Sequence, residues 1–323
     1  MKQLIYNLLF IFLISSCIKV DVIIEKPKES ETQESEEETE PVYAPEDLFI
    51  RLAFKYTKNT SGTDKLISEV SRIDFFVFDS AGYFVERYMQ TETDIKNRAV
   101  LKLHVSPGVY NFIAWGNLNE NYELSMLRKG VTHIDDAQLS LKRDPGNTVS
   151  KLPSPLFHGG LYRKEIILAD LQVNQNLTIN MMKDTKEIKV TASGLALEDP
   201  AKSSKLEYGC TIISRNGDYK FDNTVIGNTW LQYIPQESVG TDRQLISNFV
   251  VMRELSDRST ASRLIVSRNS PDSDTLEEEL INVDLVPILL ALARDRDMDF
   301  VDRFEIELLF DFTKSTVIIS NIK

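Results

Sequence analysis

Ile73-Asp74-Phe75-Phe76-Val77-Phe78-Asp79-Ser80-Ala81-Gly82-Tyr83-Phe84-Val85-Glu86-Arg87 is the stretch from which the fold of this chain can be read. Two apolar runs rich in Phe, Val and Ile flank Asp79-Ser80-Ala81-Gly82, a turn-prone tetrad whose glycine can take positive φ. The runs are too short for helices and form a β-hairpin. Upstream, Leu48, Ile50, Leu52, Phe54 and Tyr56 occupy alternate positions, while Arg51 and Lys55 take the opposite face. That period of two is a half-buried strand. Downstream, residues 99–105 and 109–115 flank Ser106-Pro107-Gly108, a second strand-turn-strand signal. Short strands joined by tight turns predict a β-sandwich.

Between Glu120 and Leu161 the pattern weakens, with a short helix expected near Tyr122 to Arg128 and a loop from Asp144 to Gly160. Strand signals return at residues 177–181 and 187–192, and a domain boundary is placed near 183. The second half repeats the same grammar at 206–214, 246–254, 262–268, 302–312 and 316–322. One helix interrupts it: Asp284 can cap Leu285 to Arg294, with Pro287 in the first turn where its missing N–H costs little. This helix is too apolar for a surface and is expected to cover a sheet. The expectation is all-β, with sandwich domains over 48–183 and 184–323 and one short covering helix.

The chain has 323 residues, 42% hydrophobic and 27% charged, which is ordinary globular usage and excludes multi-span membrane architectures. Its 37 Lys and Arg against 49 Asp and Glu give a net charge of -12 and no basic surface for a phosphate backbone, so nucleic acid is excluded as a partner. Half of that charge lies in Glu25 to Glu40, where eight Glu and two Lys sum to -6.

Before this acidic run, Lys2 is followed by an apolar run from Leu4 to Ile14 broken only by Asn7, the layout of a secretory signal peptide over residues 1–16. Eleven residues fall well short of the roughly 20 that span a bilayer. Ile14-Ser15-Ser16-Cys17 then resembles a bacterial lipobox, in which the cysteine becomes the acylated N-terminus. Several acyl chains on Cys17, at about 0.8 kcal/mol per buried CH₂, hold a protein stably on a membrane. Residues 17–47, rich in Glu, Ser, Thr and Pro, are expected to be a disordered tether with a root-mean-square reach of roughly 30 Å. With Cys17 lipidated, Cys210 has no partner in the chain and is read as a buried small hydrophobe.

Signals for catalysis are missing. His104, His133 and His158 are far apart and in no metal-ligand spacing, and no nucleophile elbow, phosphate loop or dinucleotide fingerprint occurs. Asp295-Arg296-Asp297-Met298-Asp299 begins like a calcium loop, but Phe300 stands where the turn requires Gly and Ile306 where it requires a bidentate Glu. A solvated connection is the simpler reading. Trp115 and Trp230 could make a glycan-stacking platform, although tryptophans in β-rich segments are more often core.

Taken in order, the lipobox ending at Cys17, the hairpin Phe75 to Gly82, Pro107 to Asn117, Leu156-Phe157-His158-Gly159, Lys186 to Thr191 and Val301 to Glu307 resemble the FimB-like family of fimbrial anchor subunits. These are lipoproteins of the type V fimbriae of Bacteroidales. The resemblance implies two transthyretin-like β-sandwich domains and a non-enzymatic role: holding a fimbrium to the outer membrane and helping to limit its length. It implies no cofactor beyond the covalent lipid on Cys17, and two partners, outer-membrane lipid and a shaft pilin joined by strand addition. Shaft pilins of this type are thought to lose an N-terminal strand by proteolysis, opening a groove for a neighbour's strand. Cleavage near Arg51 would cut an anchor from its lipid, so an anchor must keep its first strand. The strand offered to the pilin is then expected at the other end, in Thr316, Val317, Ile318, Ile319, Ser320, Asn321 and Ile322. The competing reading makes that segment an internal edge strand. Alternative roles are a shaft or tip pilin of the same system and a surface glycan-binding lipoprotein.

Overall fold

The expected alternation from Leu48 onward becomes strand β1 (Ile50–Lys58), which buries Ile50, Leu52, Phe54 and Tyr56 and turns Arg51 and Lys55 to solvent. In the computed structural model the described residues are 48–195, 208–240, 244–269, 276–312 and 316–321. After β1 come β2 (Ile73–Phe78), β3 (Phe84–Gln90), β4 (Leu101–Leu103), β5 (Gly108–Gly116), β6 (Tyr122–Leu124), β7 (Gln138–Leu141), β8 (Thr148–Val149), β9 (Phe157–Ile166) and β10 (Asn176–Lys183). Then follow β11 (Thr185–Ser193), β12 (Tyr208–Ser214), β13 (Asp218–Lys220), β14 (Leu231–Tyr233), β15 (Gln236–Val239), β16 (Leu245–Met252), β17 (Arg263–Asn269), β18 (Leu276–Asp284), β19 (Arg303–Asp311) and β20 (Thr316–Asn321). Four short helices intervene: α1 (Leu66–Glu69), α2 (Glu92–Lys96), α3 (Leu168–Gln172) and α4 (Leu285–Ala293).

The first half builds a seven-stranded sheet in the order β3-β2-β5-β9-β10-β1-β4. The hairpin β2–β3 turns as its tetrad predicts: Ala81 and Tyr83 donate their backbone N–H to Asp79 Oδ1 at 2.9 Å, and Gly82 sits at φ +88°. A Cβ at Gly82 would lie 2.4 Å from His133 Nε2, so the turn has no room for a larger residue. Every residue of β2 is buried. Phe75 and Val77 pack with Phe54 and Phe112 on one face, while Phe76 and Phe78 pack with Trp115 and Phe221 on the other.

The second half builds two five-stranded sheets, β15-β16-β11-β19-β20 and β18-β17-β12-β14-β8, the latter completed by β8 of the first half, and residues of both sheets share one core with Phe76, Phe78 and Trp115 of the first. Asp284 caps α4 by accepting from Val286 N at 3.2 Å, and the helix buries Leu285, Val286, Leu289 and Ala293 beside β17 and β19. It covers the core as expected. Asp184 is the single residue between the first half's β10 and the second half's β11. The halves are also laced together, since β8 pairs parallel with β14 and β7 pairs antiparallel with β13.

Two expectations need correction. Tyr122 to Arg128 is not a helix: Tyr122, Glu123 and Leu124 form β6 against β7, with Tyr122 buried and its hydroxyl donating to Ser154 O. The expected loop from Asp144 to Gly160 contains β8 and the start of β9. Its glycines misled the reading, because a Cβ on Gly159 would stand 2.6 Å from Ile179 Cγ2. There glycine permits close strand approach rather than a turn. The expectations for the signal peptide, Cys17 and the tether fall outside the described residues.

Candidate subunit interface

The last strand is the candidate for strand addition, because of its place in its sheet. β20 pairs antiparallel with β19 from Asp311↔Thr316 to Ile306↔Asn321 and stands at the edge of its sheet. Among the described residues nothing pairs with its other side. Natural edge strands are usually guarded by charge or proline. The edge strand β18 follows that rule, with Glu277, Glu278 and Glu279 in its length. β20 reads Thr-Val-Ile-Ile-Ser-Asn and has neither charge nor proline. Ile318 is exposed opposite exposed Leu309, and exposed Phe312 lies just beyond β19 with its ring stacked on Phe310 at 6.0 Å. An unguarded edge beside an apolar strip suits strand addition.

β1, by contrast, is an interior strand. It lies between β10, to which it is parallel, and β4, to which it is antiparallel. Its inner residues enter the core, and the Tyr56 hydroxyl donates to Asp302 Oδ1 at 2.6 Å, tying β1 to the second half. Burial and the Asp302 carboxylate push the Tyr56 phenol well above its usual range, so the hydroxyl stays a donor.

Around that contact lies a buried polar junction. Fully buried Asp184 accepts from Asn223 Nδ2 at 2.9 Å and has Arg253 Nε 3.3 Å away. The Arg253 guanidinium also donates to Asp299 Oδ2 at 3.2 Å and to Asn223 O at 2.7 Å. Lys186 Nζ donates to Asp299 O at 2.5 Å. Burial outweighs these partners: it pushes the Asp184 carboxyl up to about 6 and the Lys186 ammonium down to about 8. His158 packs on Trp115 with ring centroids 4.6 Å apart, its Nε2 3.2 Å from Phe221 O, and burial holds its imidazole down at about 3. Two contacts carry this cluster across to the first half, Tyr56 to Asp302 and His158 to Phe221.

A sequence profile of the fimbrillin-A associated anchor proteins Mfa1 and Mfa2 matches residues 45–322. The chain belongs to this family. The minor fimbrium anchoring subunit Mfa2 of Porphyromonas gingivalis is 23% identical over 257 residues, which is 75% of this chain and 72% of the relative. The solved structure of the fimbrial anchor protein Mfa2 from Porphyromonas gingivalis superposes with a TM-score of 0.67 at 19% identity, over 84% of this chain and 94% of that one. A Bacteroides ovatus structure described as a candidate adhesin gives a TM-score of 0.71 at 18% identity, over 85% and 93%. Membership in the fimbrial anchor family makes the chain a cell-surface fimbrial component that associates with other fimbrial subunits.

Within this anchor protein the residues singled out by sequence are scattered. Cys17 and Ile322 lie outside the described residues, while Thr316 to Asn321 form the edge strand. His104 sits beside Phe49, His133 fills the hairpin turn, and His158 is core. Asp297 caps a single 3-10 turn, Met298–Phe300, by accepting from Asp299 N, so the calcium-like run serves as a connection. Among the described residues no three His, Cys, Asp or Glu side chains form a metal site, and no helix is long and apolar enough to cross a membrane. Cys210 is buried and free, and burial pushes its thiol up. Trp115 is core, whereas Trp230 is 41% exposed with the Arg215 guanidinium 4.3 Å above its ring. The sequence reading missed the junction of Asp184, Lys186 and Arg253. The signal was available, because Lys186 shares the inward parity of Ile188, Val190 and Ala192.

Proposed function

We propose that this anchor subunit is held in the outer membrane by acyl chains on Cys17, carries its folded part on the acidic tether of residues 17–47, and receives the first shaft pilin at its C-terminal strand. It acts in fimbrial assembly and length control without catalysis and without a cofactor. The observation that carries this reading is the position of β20. An edge strand is held along one side, so offering residues 316–322 to a pilin breaks one ladder, whereas releasing an interior strand such as β1 breaks two. The burial of Tyr56 and its bond to Asp302 favour keeping β1, which an anchor attached through its N-terminus requires.

Deleting residues 316–323 tests it. The shortened protein is expected to fold and stay with the outer membrane while no longer co-purifying with fimbriae. Unchanged co-purification would refute the role of the strand. Intact-mass analysis of native protein tests the other end: a species beginning at acylated Cys17 supports the anchor, and an abundant species beginning near Arg51 supports a polymerising pilin. A glycan-binding role draws support from Trp230 alone; Trp230→Ala removes glycan binding under that reading and leaves fimbrial attachment intact.

A further inference from the structure

The seven-stranded sheet has two unlike ends. One meets the second half through Tyr56 and His158, which contact Asp302 and Phe221. The other end, distant from the second half, is made by the starts of β1, β5 and β10 and the ends of β4 and β9, as the pairs Arg51↔Asn176, Ile50↔Leu103 and Gly108↔Ile166 show. Helix α3 bridges β9 to β10 there. The backbone N–H of Gln175 donates to Asp170 O and that of Arg51 to Gln175 O, both at 2.9 Å, so α3 is linked to β1 through Gln175.

This short helix is unusual in what it leaves in water. Of the large apolar side chains in α3 and its caps, only Leu171 is turned inward; Ile167 and Leu168 are each 50% exposed and Val173 is 73% exposed. Beside it, Arg51 and Lys102 face each other across β1 and β4, both exposed, and both lie over the Phe49 ring, with Lys102 Nζ 4.7 Å and Arg51 Cζ 5.9 Å from its centroid. The Asp170 carboxylate accepts from Ile167 N at 3.1 Å at the start of the helix. The folded chain emerges at this same end: Leu48 precedes β1, and Cys17 lies 31 residues before Leu48.

We infer that this end of the molecule is a membrane seat. α3 places Ile167, Leu168 and Val173 at the boundary between headgroups and acyl chains, and Arg51 and Lys102 meet lipid phosphates. The inference rests on the reading of Cys17 as the lipid site. Three apolar side chains and two cations bind a bilayer weakly by themselves. A body tethered by its own acyl chains stays within roughly 30 Å of the surface, which gives an effective concentration on the order of mM and makes weak contact sufficient. The seat would fix which way the anchor points, with β20 turned away from the membrane.

The test uses the full lipidated chain reconstituted in vesicles of phosphatidylethanolamine and phosphatidylglycerol at three to one. Leu168→Cys carries a polarity-sensitive fluorophore; Ser259→Cys, on an exposed loop of the second half, carries it in a control protein. Buried Cys210 does not compete for label. The Leu168→Cys probe is expected to shift to the blue and to be quenched by spin-labelled lipid, with the Ser259→Cys probe unaffected, and Arg51→Gln with Lys102→Gln is expected to weaken the quenching. A protein that floats with the vesicles while its probe stays aqueous overturns the seat and leaves the lipid anchor standing. A protein that fails to float overturns both. A blue shift that persists in detergent without vesicles assigns the patch to contact with a second copy or another protein, and overturns the membrane seat.

Discussion

Replacing Glu254 by Gln should change the pH dependence of stability by a predictable amount. Glu254 is buried just after β16; Ser214 Oγ donates to its Oε2 at 3.1 Å, Ser262 also hydrogen-bonds that oxygen, and Asn216 Nδ2 donates to Oε1 at 2.8 Å. Burial pushes the carboxyl up to about 7 from an ordinary 4.5, although the serine hydroxyls pull the other way. Between these values the folded protein holds a proton that the unfolded chain has released, so the stabilising effect of this proton is complete below 4.5 and is lost as pH rises through 7. A shift of about 2.5 units at 1.36 kcal/mol per unit amounts to about 3 kcal/mol.

Gln resembles the protonated acid in shape and hydrogen bonding, so the variant should match the wild type near pH 4.5 and exceed it by about 3 kcal/mol at pH 8. With a denaturant slope of about 3 kcal/mol/M, the urea midpoints separate by roughly 1 M at pH 8 and converge on acidification. The comparison must be made between the two proteins. His158, held down at about 3, has the opposite effect, with stability lost as pH falls below 6.5, and Asp184, raised to about 6, acts with the same sign as Glu254. Both cancel in the difference. Midpoints that differ by the same amount at every pH would refute the buried-proton argument.

Arg253→Met leaves Asp184 buried without its cation and should cost about 3–5 kcal/mol in urea unfolding, partly recovered by Asp184→Asn in the same chain. Tyr56→Phe removes the donor to Asp302 and should lower stability by about 1–2 kcal/mol, with faster tryptic cleavage at Arg51 as the second readout. Gly82→Ala forces a Cβ against His133 at positive φ and should lose about 1–3 kcal/mol in thermal melts, of which His133→Ala restores the part due to the clash.

The all-β class and the hairpin were legible because a period of two leaves its mark on every residue: Ile50, Leu52, Phe54 and Tyr56 point one way in sequence and in the fold. Asp284 and Pro287 marked the one long helix for equally local reasons. β9 was hidden by Gly159 and Gly160, whose role depends on how closely β10 approaches, and β13 to β15 are too short for any periodicity to register. The junction was harder still. Asp184, Arg253 and Asp299 are separated by dozens of residues, and a charged residue in a sequence reads as surface until its partner is placed beside it. Of the candidate interface, the strand character of residues 316–321 was visible and their place at a sheet edge was not, since edge or interior depends on what the rest of the chain leaves unpaired.

The parallel pairing of β1 with β10 has a mechanical consequence for a protein attached at both ends. In the proposed arrangement the membrane holds the chain before β1, and the fimbrium pulls through the second half, which β10 reaches across Asp184. Tension therefore draws the start of β1 one way and the end of β10 the other. Because the strands run parallel, their ladder is sheared, and its hydrogen bonds from Arg51↔Asn176 onward share the stress together. An antiparallel neighbour in the place of β10 would be peeled one bond at a time. The bonds from Tyr56 to Asp302 and from His158 to Phe221 cross the same junction and act in parallel with the covalent link. A pilin that surrenders its first strand gives up this arrangement. An anchor that retains β1 keeps both its lipid and the sheared ladder that resists being pulled away from it.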